Sequence, residues 1–463
     1  MTTDKFERTR HIRYFINCLQ SLPEQYAAAD TNRLTLVHFC VQSLDILGCL
    51  PTHPNCCGKV DKEVNIDTQA IIYLIYGLQT IPSLTENNDD DYATYIGGGF
   101  KGGTYLGDIP SCTADDITCP QQYSIAEEEE EEVAVQHPYD HSHLAMTYVG
   151  ICTLLALGDD LSRVHKTAVL QTLQSLQKED GSFMAISSNN CSNEQNEEKE
   201  DDDCDLRFLY TAISIWYLLK PTDNDDDNPI INIEKATNYI LSCITYDGSL
   251  GLTPGREGHG GSTFCGIASL FLMGELDDVM NRQELKSWKD DLIRWCLSRQ
   301  YPLHGTIYSN TSEHNGSTNH VAGMCGRPNK LEDTCYSYWV GGTLHLLNQS
   351  HLLDGWALRD YVLSCQSTYG GFGKLVGAMP DVLHSFYSLA WLSLSVEQGC
   401  CDEEEDEYVN DIDKDKKKQA VKTYDTESRQ QVDESLHQLS RLDCALGICS
   451  KRIQALQKEA GER

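Results

Sequence analysis

Five stretches of the chain are apolar on nearly every face that a helix would present. They begin at Leu144, Leu206, Ser262, Thr334 and Leu383 and read LAMTYVGICTLLALG, LRFLYTAISIWYLL, STFCGIASLFLMG, TCYSYWVGGTLHLL and LHSFYSLAWLSL. A helix that is apolar all round is buried on all sides. The pattern therefore predicts five inner helices, each covered by an outer layer.

A polar residue recurs near the start of each of these helices, at His143, Arg207, His259, Cys335 and His384. The interval is about 50 residues wherever no low-complexity insert lengthens it. The predicted inserts lie at about 85–135, 187–204 and 303–323. A repeat of this length predicts helical hairpins that stack to share a core. We therefore expect an all-α fold over residues 1–398: an α/α toroid, a six-barrel of helical-hairpin repeats.

The region 399–463 has a different composition. It is predicted to form a charged linker and then a C-terminal amphipathic helix from Val432 to Leu456. Leu436, Leu439 and Leu446 would lie roughly on one face of that helix. We expect this face to pack on the barrel or on a partner.

The formal net charge of -34 argues against nucleic acid as a partner, because binding to phosphates requires an excess of Lys and Arg. Many of the 20 cysteines lie in apolar helical stretches, as Cys152 and Cys365 do, where a free thiol is an ordinary small apolar group. No stretch has the pattern of a signal peptide, a membrane span or a prenylation box. A cytoplasmic protein without stable membrane insertion is therefore expected.

Asp333 and Cys335 stand close together in GRPNKLEDTCYSYWVGG, after the basic Arg327 and Lys330, and His384 follows in the same phase of the repeat. Carboxylate, thiolate and imidazole are ligands with which Zn²⁺ keeps a fourth position open. The N-terminal ends of the inner helices would favour an anion at the same rim. For lone residues, the commoner interpretations are a helix cap, a buried thiol, a core histidine and loop cations.

Six stretches, taken in order, resemble the β subunits of the protein prenyltransferases, most closely those of geranylgeranyltransferases type I. They are HPYDHSHLAMTY, GDDLSRV, QKEDGSF, HGGSTFCGIASL, GRPNKLEDTCYSYWVGG and PDVLHSFY, and the resemblance spans roughly residues 10–394. It implies that Asp333, Cys335 and His384 bind one Zn²⁺ per β subunit. The open position of that ion would take the cysteine thiol of a protein substrate and hold it as thiolate.

The resemblance also implies a site for an isoprenoid diphosphate. Its positions are His259, Gly260, Gly261, Arg327, Pro328, Asn329, Lys330, Tyr336, Ser337, Tyr338 and Trp339. Positive groups and hydrogen-bond donors there would stabilise the diphosphate as it leaves. Lys374 stands where farnesyltransferases carry an aspartate that helps to hold Mg²⁺, so Mg²⁺ is expected not to be required.

The length of the lipid is predicted from small side chains. Thr35 and Ser262 stand where farnesyltransferase carries tryptophan and tyrosine, and smaller groups leave room for a 20-carbon chain. Leu383 follows the geranylgeranyl pattern, but Tyr387 departs from it, since the type I enzyme has phenylalanine there. By resemblance, Cys265, Tyr338 and Trp339 line the lipid, and Arg207 and His143 lie near lipid and peptide.

The expected function is that of the catalytic β subunit of a protein geranylgeranyltransferase type I, in a heterodimer with a prenyltransferase α subunit. It would transfer geranylgeranyl from geranylgeranyl diphosphate to the cysteine of C-terminal CaaX sequences, often ending in leucine, of proteins such as small GTPases. Two alternatives remain: a farnesyltransferase β subunit, and a noncatalytic helical toroid whose acidic inserts bind basic partners. Zinc content separates the second alternative from the enzymes.

Overall fold

The computed structural model describes residues 5–51, 66–80, 83–85, 94–103, 141–186, 204–220, 229–302, 321–397 and 436–461. Most of the three predicted inserts and the linker 399–435 therefore lie outside the described residues. The described ends of the predicted inserts 85–135 and 303–323 contain residues of strands that pair with a strand before each insert. These strands are Gly99–Phe100 and Ala322–Met324.

Helices predominate in the described part of the chain, as predicted. They are α1 Arg8–Gln20, α2 Arg33–Ile46, α3 Thr68–Gly77, α4 Leu144–Ala156, α5 Lys166–Leu176, α6 Leu206–Leu219, α7 Ile233–Ser242, α8 Gly260–Met273, α9 Leu276–Asn281, α10 Lys286–Leu297, α11 Cys335–Leu346, α12 Gly355–Ser364, α13 Val382–Glu397 and α14 Ser450–Gly461, with 3₁₀ turns at Glu24–Asn32, Gln283–Leu285 and Ser350–Leu352. None of the helices in these ranges combines the length and apolar composition that crossing a bilayer requires.

The strands are short and form antiparallel pairs. They are β1 Gln79–Thr80 with β4 Gly99–Phe100, β2 Ser83–Thr85 with β3 Thr94–Ile96, β5 Gln300–Pro302 with β6 Ala322–Met324, β7 Phe372–Gly373 with β8 Pro380–Asp381, and β9 Leu442–Asp443 with β10 Ile448–Cys449. Such pairs turn the chain between helices without forming a sheet layer.

The chain divides into two compact units. The first takes in the described residues of Met1–Ser21, Phe39–Val64 and Cys243–Gln454, and the second those of Leu22–His38, Asn65–Ser242 and Ala455–Arg463. In the first unit α11 packs between α8 and α13, and in the second α4 packs on α6. These are the five predicted inner helices, and their side chains are buried on most faces, which confirms the prediction.

One tight turn recurs between outer and inner helices. It is closed by the bridges Gln177 to Phe183, Ile244 to Leu250, and Gln366 to Phe372. Each turn contains a glycine with positive φ, and at Gly248, with φ 93°, an added Cβ would lie 2.6 Å from the Asp291 Cβ. Conformation and close packing therefore both require glycine at Gly248. The repeat predicted from sequence is thus a repeat of backbone structure.

The C-terminal segment differs from the prediction of one amphipathic helix over Val432 to Leu456. In its described part, the hairpin β9–β10 precedes α14. The chain reverses because the Asp443 carboxylate accepts the Leu446 N–H at 3.0 Å and Gly447 takes φ 64°. A local cap of this kind overrides helical periodicity. Leu446 is nevertheless buried, as expected for an apolar face.

This C-terminal segment packs on the first unit through a buried carboxylate. Asp45 of α2 is fully buried and accepts two hydrogen bonds from Arg452, at 2.7 and 3.0 Å. Lys451 lies 3.0 Å from the same carboxylate, and the Ser440 hydroxyl donates to the Asp45 carbonyl at 2.9 Å. A buried charge requires partners of this kind. The segment is therefore part of the core of the first unit.

The approach of α11 to α13 depends on one glycine. A Cβ at Gly341 would lie 2.5 Å from Cζ3 of Trp391, whose side chain is fully buried. Gly341 comes six residues after Cys335 and Trp391 seven after His384, so the contact lies about two helical turns below both helix starts. The distance between these two helix starts therefore depends on this contact.

We predict that Gly341→Ala destabilises the protein by about 1–3 kcal/mol, because the added methyl group forces Trp391 or a whole helix to move. Equilibrium unfolding in urea measures the change. The matched control is Gly77→Ala in α3, where an added Cβ meets nothing within 4 Å. The control should be neutral or slightly stabilising, and equal losses in both variants would contradict the packing argument.

His11 of α1 joins the N-terminal helix to the turn before β7. Its Nδ1 accepts the Gly371 N–H at 2.9 Å, so Nε2 carries the proton and donates to the Gln366 Oε1, also at 2.9 Å. The ring stacks on Phe372 with centroids 4.5 Å apart. Burial lowers the pKa of His11 to about 4, although the hydrogen bond with Gln366 opposes the shift.

Because the unfolded chain binds a proton at His11 near pH 6.5 and the folded chain only near pH 4, this residue contributes stability above pH 6.5 that is lost as pH falls. The wild type should lose about 3 kcal/mol more unfolding free energy between pH 7 and pH 4 than His11→Gln. Urea titrations at several pH values test this. His351→Gln, at an exposed histidine, should keep the wild-type profile; parallel profiles for wild type and His11→Gln would refute the assignment.

Candidate metal centre and anion site

Three predicted ligands meet at the starts of α11 and α13 in the first unit. One ligand atom each from Asp333, Cys335 and His384 lies within 4.8 Å of the others. Asp333 and Cys335 are buried and His384 is half-buried. Among the residues that the structure describes, this is the one group of three or more His, Cys, Asp or Glu side chains with such spacing.

Asp333 and Cys335 are placed by backbone hydrogen bonds to two strands. The Asp333 N–H donates to the Met324 carbonyl of β6 at 2.9 Å, and its carboxylate accepts the Cys335 N–H at 3.0 Å. Thr334, between them, donates its N–H to the Lys374 carbonyl at 2.9 Å and its hydroxyl to the Gly373 carbonyl at 3.0 Å. The N-cap residue of α11 is Thr334, so Asp333 binds the first N–H of the helix from the position before the cap. The second carboxylate oxygen of Asp333 is left for another partner.

His384 is oriented by Asp381 at the end of β8. One oxygen of Asp381 accepts the His384 N–H at 2.9 Å, and the other lies 2.6 Å from Nδ1 of the ring. Nε2 consequently lies near Asp333, 3.3 Å from its Oδ1. Sequence reasoning gave Asp381 no role. The available signal was an acidic residue three positions before a histidine at a helix start.

The pKa shifts show that negative charge is concentrated at this point. Burial lowers the pKa of His384, but hydrogen bonds to Asp333 and Asp381 outweigh it and raise the pKa to about 9. Burial and the nearby Asp333 carboxylate raise the pKa of the Cys335 thiol well above its usual range. Burial would raise the pKa of Asp333, yet the hydrogen bonds from His384 and Cys335 hold it below its usual value. A metal cation placed here would be stabilised by the Asp333 and Asp381 carboxylates and would replace the protons of His384 and Cys335.

Lys374 contributes a cation at the rim of this cluster. It follows β7, and its Nζ lies 3.5 Å from the second carboxylate oxygen of Asp333. Its side chain is 58 % exposed. The ammonium therefore stands beside the predicted metal ligands, and its role toward a diphosphate stays a prediction.

The predicted anion site lies in the first unit around the start of α8. His259 precedes α8 and its Nδ1 accepts the Gly261 N–H at 3.0 Å, so it also acts as the helix cap. Its Nε2 lies 3.0 Å from the Tyr336 hydroxyl. The Gly260 N–H donates to the Gly326 carbonyl at 2.9 Å, which joins the segment of His259 to that of Arg327.

Several predicted site residues follow Gly326 in one turn. Arg327 contacts Glu257 at 2.8 Å, and Asn329 adopts a left-handed conformation with φ 61°. The Lys330 N–H donates back to the Arg327 carbonyl at 3.4 Å, and Pro328 lies within the same turn. The turn thus brings two predicted anion-binding cations, Arg327 and Lys330, to one short loop.

Aromatic side chains of α8, α11 and α13 form a cluster next to these helix starts. Trp339 contacts Tyr387 with centroids 4.4 Å apart and Phe264 at 5.0 Å. Tyr338 contacts Tyr387 at 5.4 Å and donates its hydroxyl to the Cys444 carbonyl at 2.8 Å. Trp339 and Tyr387 are half-buried, so an apolar surface remains open beside the predicted ligands.

The other predicted lipid residues are placed by local contacts. In the first unit, Cys265 is buried, and the Ser262 hydroxyl donates to the Leu250 carbonyl at 2.7 Å. Ser337, which was predicted for the diphosphate site, is also buried. In the second unit, the Thr35 hydroxyl points to Met146 Sδ at 3.5 Å, and Arg207 pairs with Asp205 at 2.6 Å. The lipid-binding roles of Thr35, Arg207, Ser262 and Cys265 remain predictions.

Comparison with known proteins identifies the family of the chain. The family described as the prenyltransferase alpha-alpha toroid domain matches residues 6–448. The chain is 34 % identical over 397 residues to the geranylgeranyl transferase type-1 subunit beta of Arabidopsis thaliana, covering 85 % of this chain and 86 % of that one. The same subunit of Dictyostelium discoideum is 32 % identical over 382 residues, covering 82 % and 88 %.

A solved structure shares the fold. It is the protein geranylgeranyltransferase-I of Candida albicans complexed with GGPP, with a TM-score of 0.63, 24 % identity and coverage of 98 % of this chain and 99 % of that chain. At this level of identity the match supports the fold and not the ligand.

Proposed function

We infer that this chain, which belongs to the prenyltransferase alpha-alpha toroid family, is the catalytic β subunit of a protein geranylgeranyltransferase type I. The reaction transfers geranylgeranyl from geranylgeranyl diphosphate to a cysteine of a protein substrate. The observation that carries the inference is the convergence of Asp333, Cys335 and His384 within 4.8 Å, beside the Lys374 ammonium and an open aromatic surface.

The three ligands suit Zn²⁺. They supply one carboxylate, one thiol and one imidazole, a set with which a zinc ion keeps a position for substrate. The raised pKa of Cys335, caused by burial and Asp333, indicates a thiol that needs a cation to become thiolate. Zinc bound there would supply a Lewis acid that lowers the pKa of a coordinated substrate thiol.

The residues of the chain provide for both halves of the displacement. The substrate thiolate attacks C1 of the lipid, the carbon–sulfur bond forms, the carbon–oxygen bond breaks and diphosphate leaves with the electron pair. Arg327, Lys330 and Lys374 carry positive charge for the leaving group, and the start of α8 adds N–H groups. Asp381 orients His384 by accepting its Nδ1–H. Lys374 carries the charge that a metal would otherwise supply, so Mg²⁺ is proposed to be unnecessary.

A 20-carbon lipid is favoured over a 15-carbon one. The curated relatives compared above are named for geranylgeranyl transfer, and small side chains stand at Thr35 and Ser262. Tyr387 follows the farnesyl pattern instead, and in the structure its ring lies against that of Trp339, with centroids 4.4 Å apart. The farnesyltransferase alternative therefore has one residue in its favour.

The partner, the protein substrates and the location belong to the proposal. We propose a heterodimer with a prenyltransferase α subunit, CaaX proteins such as small GTPases as acceptors, and a cytoplasmic location. The contact of Asp381 with Nδ1 of His384 at 2.6 Å favours a metal site over a noncatalytic toroid, because it aims Nε2 at Asp333.

Elemental analysis of the copurified heterodimer should find one zinc per β subunit, and Cys335→Ala and His384→Ala should lose it. Asp381→Asn should weaken zinc affinity about 10–100-fold, because the ring of His384 loses its anionic partner. Competition with a chromogenic chelator measures this. Cys243→Ala, at a buried thiol outside the cluster, should keep the zinc content of the wild type. A wild-type protein without zinc would contradict the proposal that the chain is an enzyme.

Labelled lipid diphosphates and paired peptides ending in Leu or Ser test lipid and peptide choice without added Mg²⁺. We expect the C20 lipid to be transferred to the Leu peptide. Thr35→Trp should move selectivity toward C15 by about 10-fold or more, because a bulky ring shortens the pocket. Thr35→Ser is the matched control and should keep the C20 preference. Strict Mg²⁺ dependence or a C15 preference in the wild type would favour the farnesyltransferase alternative.

A further inference from the structure

We propose that Glu257 is a positioning residue, which holds the Arg327 guanidinium in the orientation that receives the diphosphate of the lipid substrate. This inference rests on the proposed function and adds a carboxylate to the anion site. Glu257 lies two residues before His259, in the segment that leads into α8. Its Oε2 lies 2.8 Å from Nη1 of Arg327.

The backbone on the Glu257 side is held by close packing. Gly251 and Gly258 bridge each other across the turn that contains Glu257. An added Cβ at Gly258 would overlap the Ser249 hydroxyl, and one at Gly251 would lie 2.6 Å from the Arg256 carbonyl oxygen. The backbone of this segment therefore has little freedom to shift, so the Cα atom from which the Glu257 side chain extends has a defined position.

The backbone on the Arg327 side is held as well. An added Cβ at Gly326 would overlap the ring of Tyr336, and the Gly326 carbonyl accepts the Gly260 N–H at 2.9 Å. The backbone hydrogen bond joins the segment before α8 to the loop that contains Arg327, and the Glu257–Arg327 ion pair links the same two segments through side chains. Because both backbones are already fixed, the ion pair determines the orientation of the Arg327 guanidinium.

Arginine is suited to such an arrangement. Its planar guanidinium has five N–H donors, so a carboxylate at one end fixes the plane and leaves donors for phosphate oxygens. A long side chain that is oriented before the ligand arrives loses less conformational freedom on binding. The pair is solvent-accessible, with side-chain exposures of 39 % for Arg327 and 61 % for Glu257, so solvent and salt weaken the repulsion between Glu257 and diphosphate.

The exposure of the pair also separates positioning from stability. An exposed ion pair contributes little to folding, so its loss should leave thermal unfolding unchanged. Its effect should be confined to ligands that carry a diphosphate. Geranylgeraniol, which lacks the diphosphate, provides the matching probe for lipid binding alone.

Calorimetric titration of the copurified heterodimer, without peptide, tests the proposal. Glu257→Ala should raise the Kd of geranylgeranyl diphosphate about 5–10-fold and leave the Kd of geranylgeraniol unchanged. Glu257→Gln keeps an oxygen acceptor in the same place and should stay within about twofold of wild type. In an Arg327→Ala background, Glu257→Ala should change the Kd by less than about twofold, because the residue it positions is absent.

Glu179→Ala is the control, since it removes an exposed ion pair with Lys235 in the second unit and should change none of these values. An unchanged or lower Kd in Glu257→Ala overturns the proposal, as does a full effect in the Arg327→Ala background or an equal loss in Glu257→Gln. If the wild type binds the diphosphate in this way but transfers no lipid, the proposed function fails while the role of Glu257 stands. If lipid is transferred but the Kd does not depend on Glu257, the proposed function stands and the role of Glu257 fails.

Discussion

The contact between Gly341 and Trp391 is the constraint on which the candidate site most depends. Because a glycine faces a fully buried indole, α11 and α13 approach more closely than two helices with ordinary side chains would. The contact lies about two turns below Cys335 and His384, so it sets how far apart the two helix starts stand. The hydrogen bonds from Thr334 to the Lys374 and Gly373 carbonyls then fix the position of the start of α11 relative to the chain that leads into α13.

The electrostatics of the site follow from this closeness. Burial lowers the pKa of His384, but its hydrogen bonds with the Asp333 and Asp381 carboxylates outweigh burial and raise the pKa to about 9. Burial and the nearby Asp333 carboxylate both raise the pKa of the Cys335 thiol well above its usual range. Burial disfavours the Cys335 thiolate, and the neighbouring carboxylates add to this effect. Added positive charge would therefore stabilise the cluster. Lys374 supplies part of this charge, and the ligand set provides for a metal cation.

The metal ligands and the proposed diphosphate site belong to one unit and share one helix. Asp333 and Cys335 lie at the start of α11, and Tyr336, the next residue, contacts His259 before α8. Displacement of diphosphate by a thiolate needs a nucleophile and a leaving-group site at close range. Packing α11 between α8 and α13 brings the candidate metal ligands and the proposed diphosphate site to one helix start.

The sequence by itself predicted the helical repeat and the five inner helices, because apolar periodicity is a local property that can be read without coordinates. That Asp333, Cys335 and His384 are metal ligands was implied by the family resemblance, and the structure brings their ligand atoms within 4.8 Å of one another. The sequence did not reveal Asp381 as the partner of His384, nor Glu257 as the partner of Arg327, since both pairings depend on where side chains lie in space. The sequence also predicted a single helix over the segment in which the hairpin β9–β10 forms. The hairpin forms because the Asp443 carboxylate caps its turn and the buried Asp45–Arg452 pair holds the segment on the first unit. Tertiary structure alone decided that Asp333 and His384, 51 positions apart along the chain, lie 3.3 Å apart, because that distance results from how closely two helices pack.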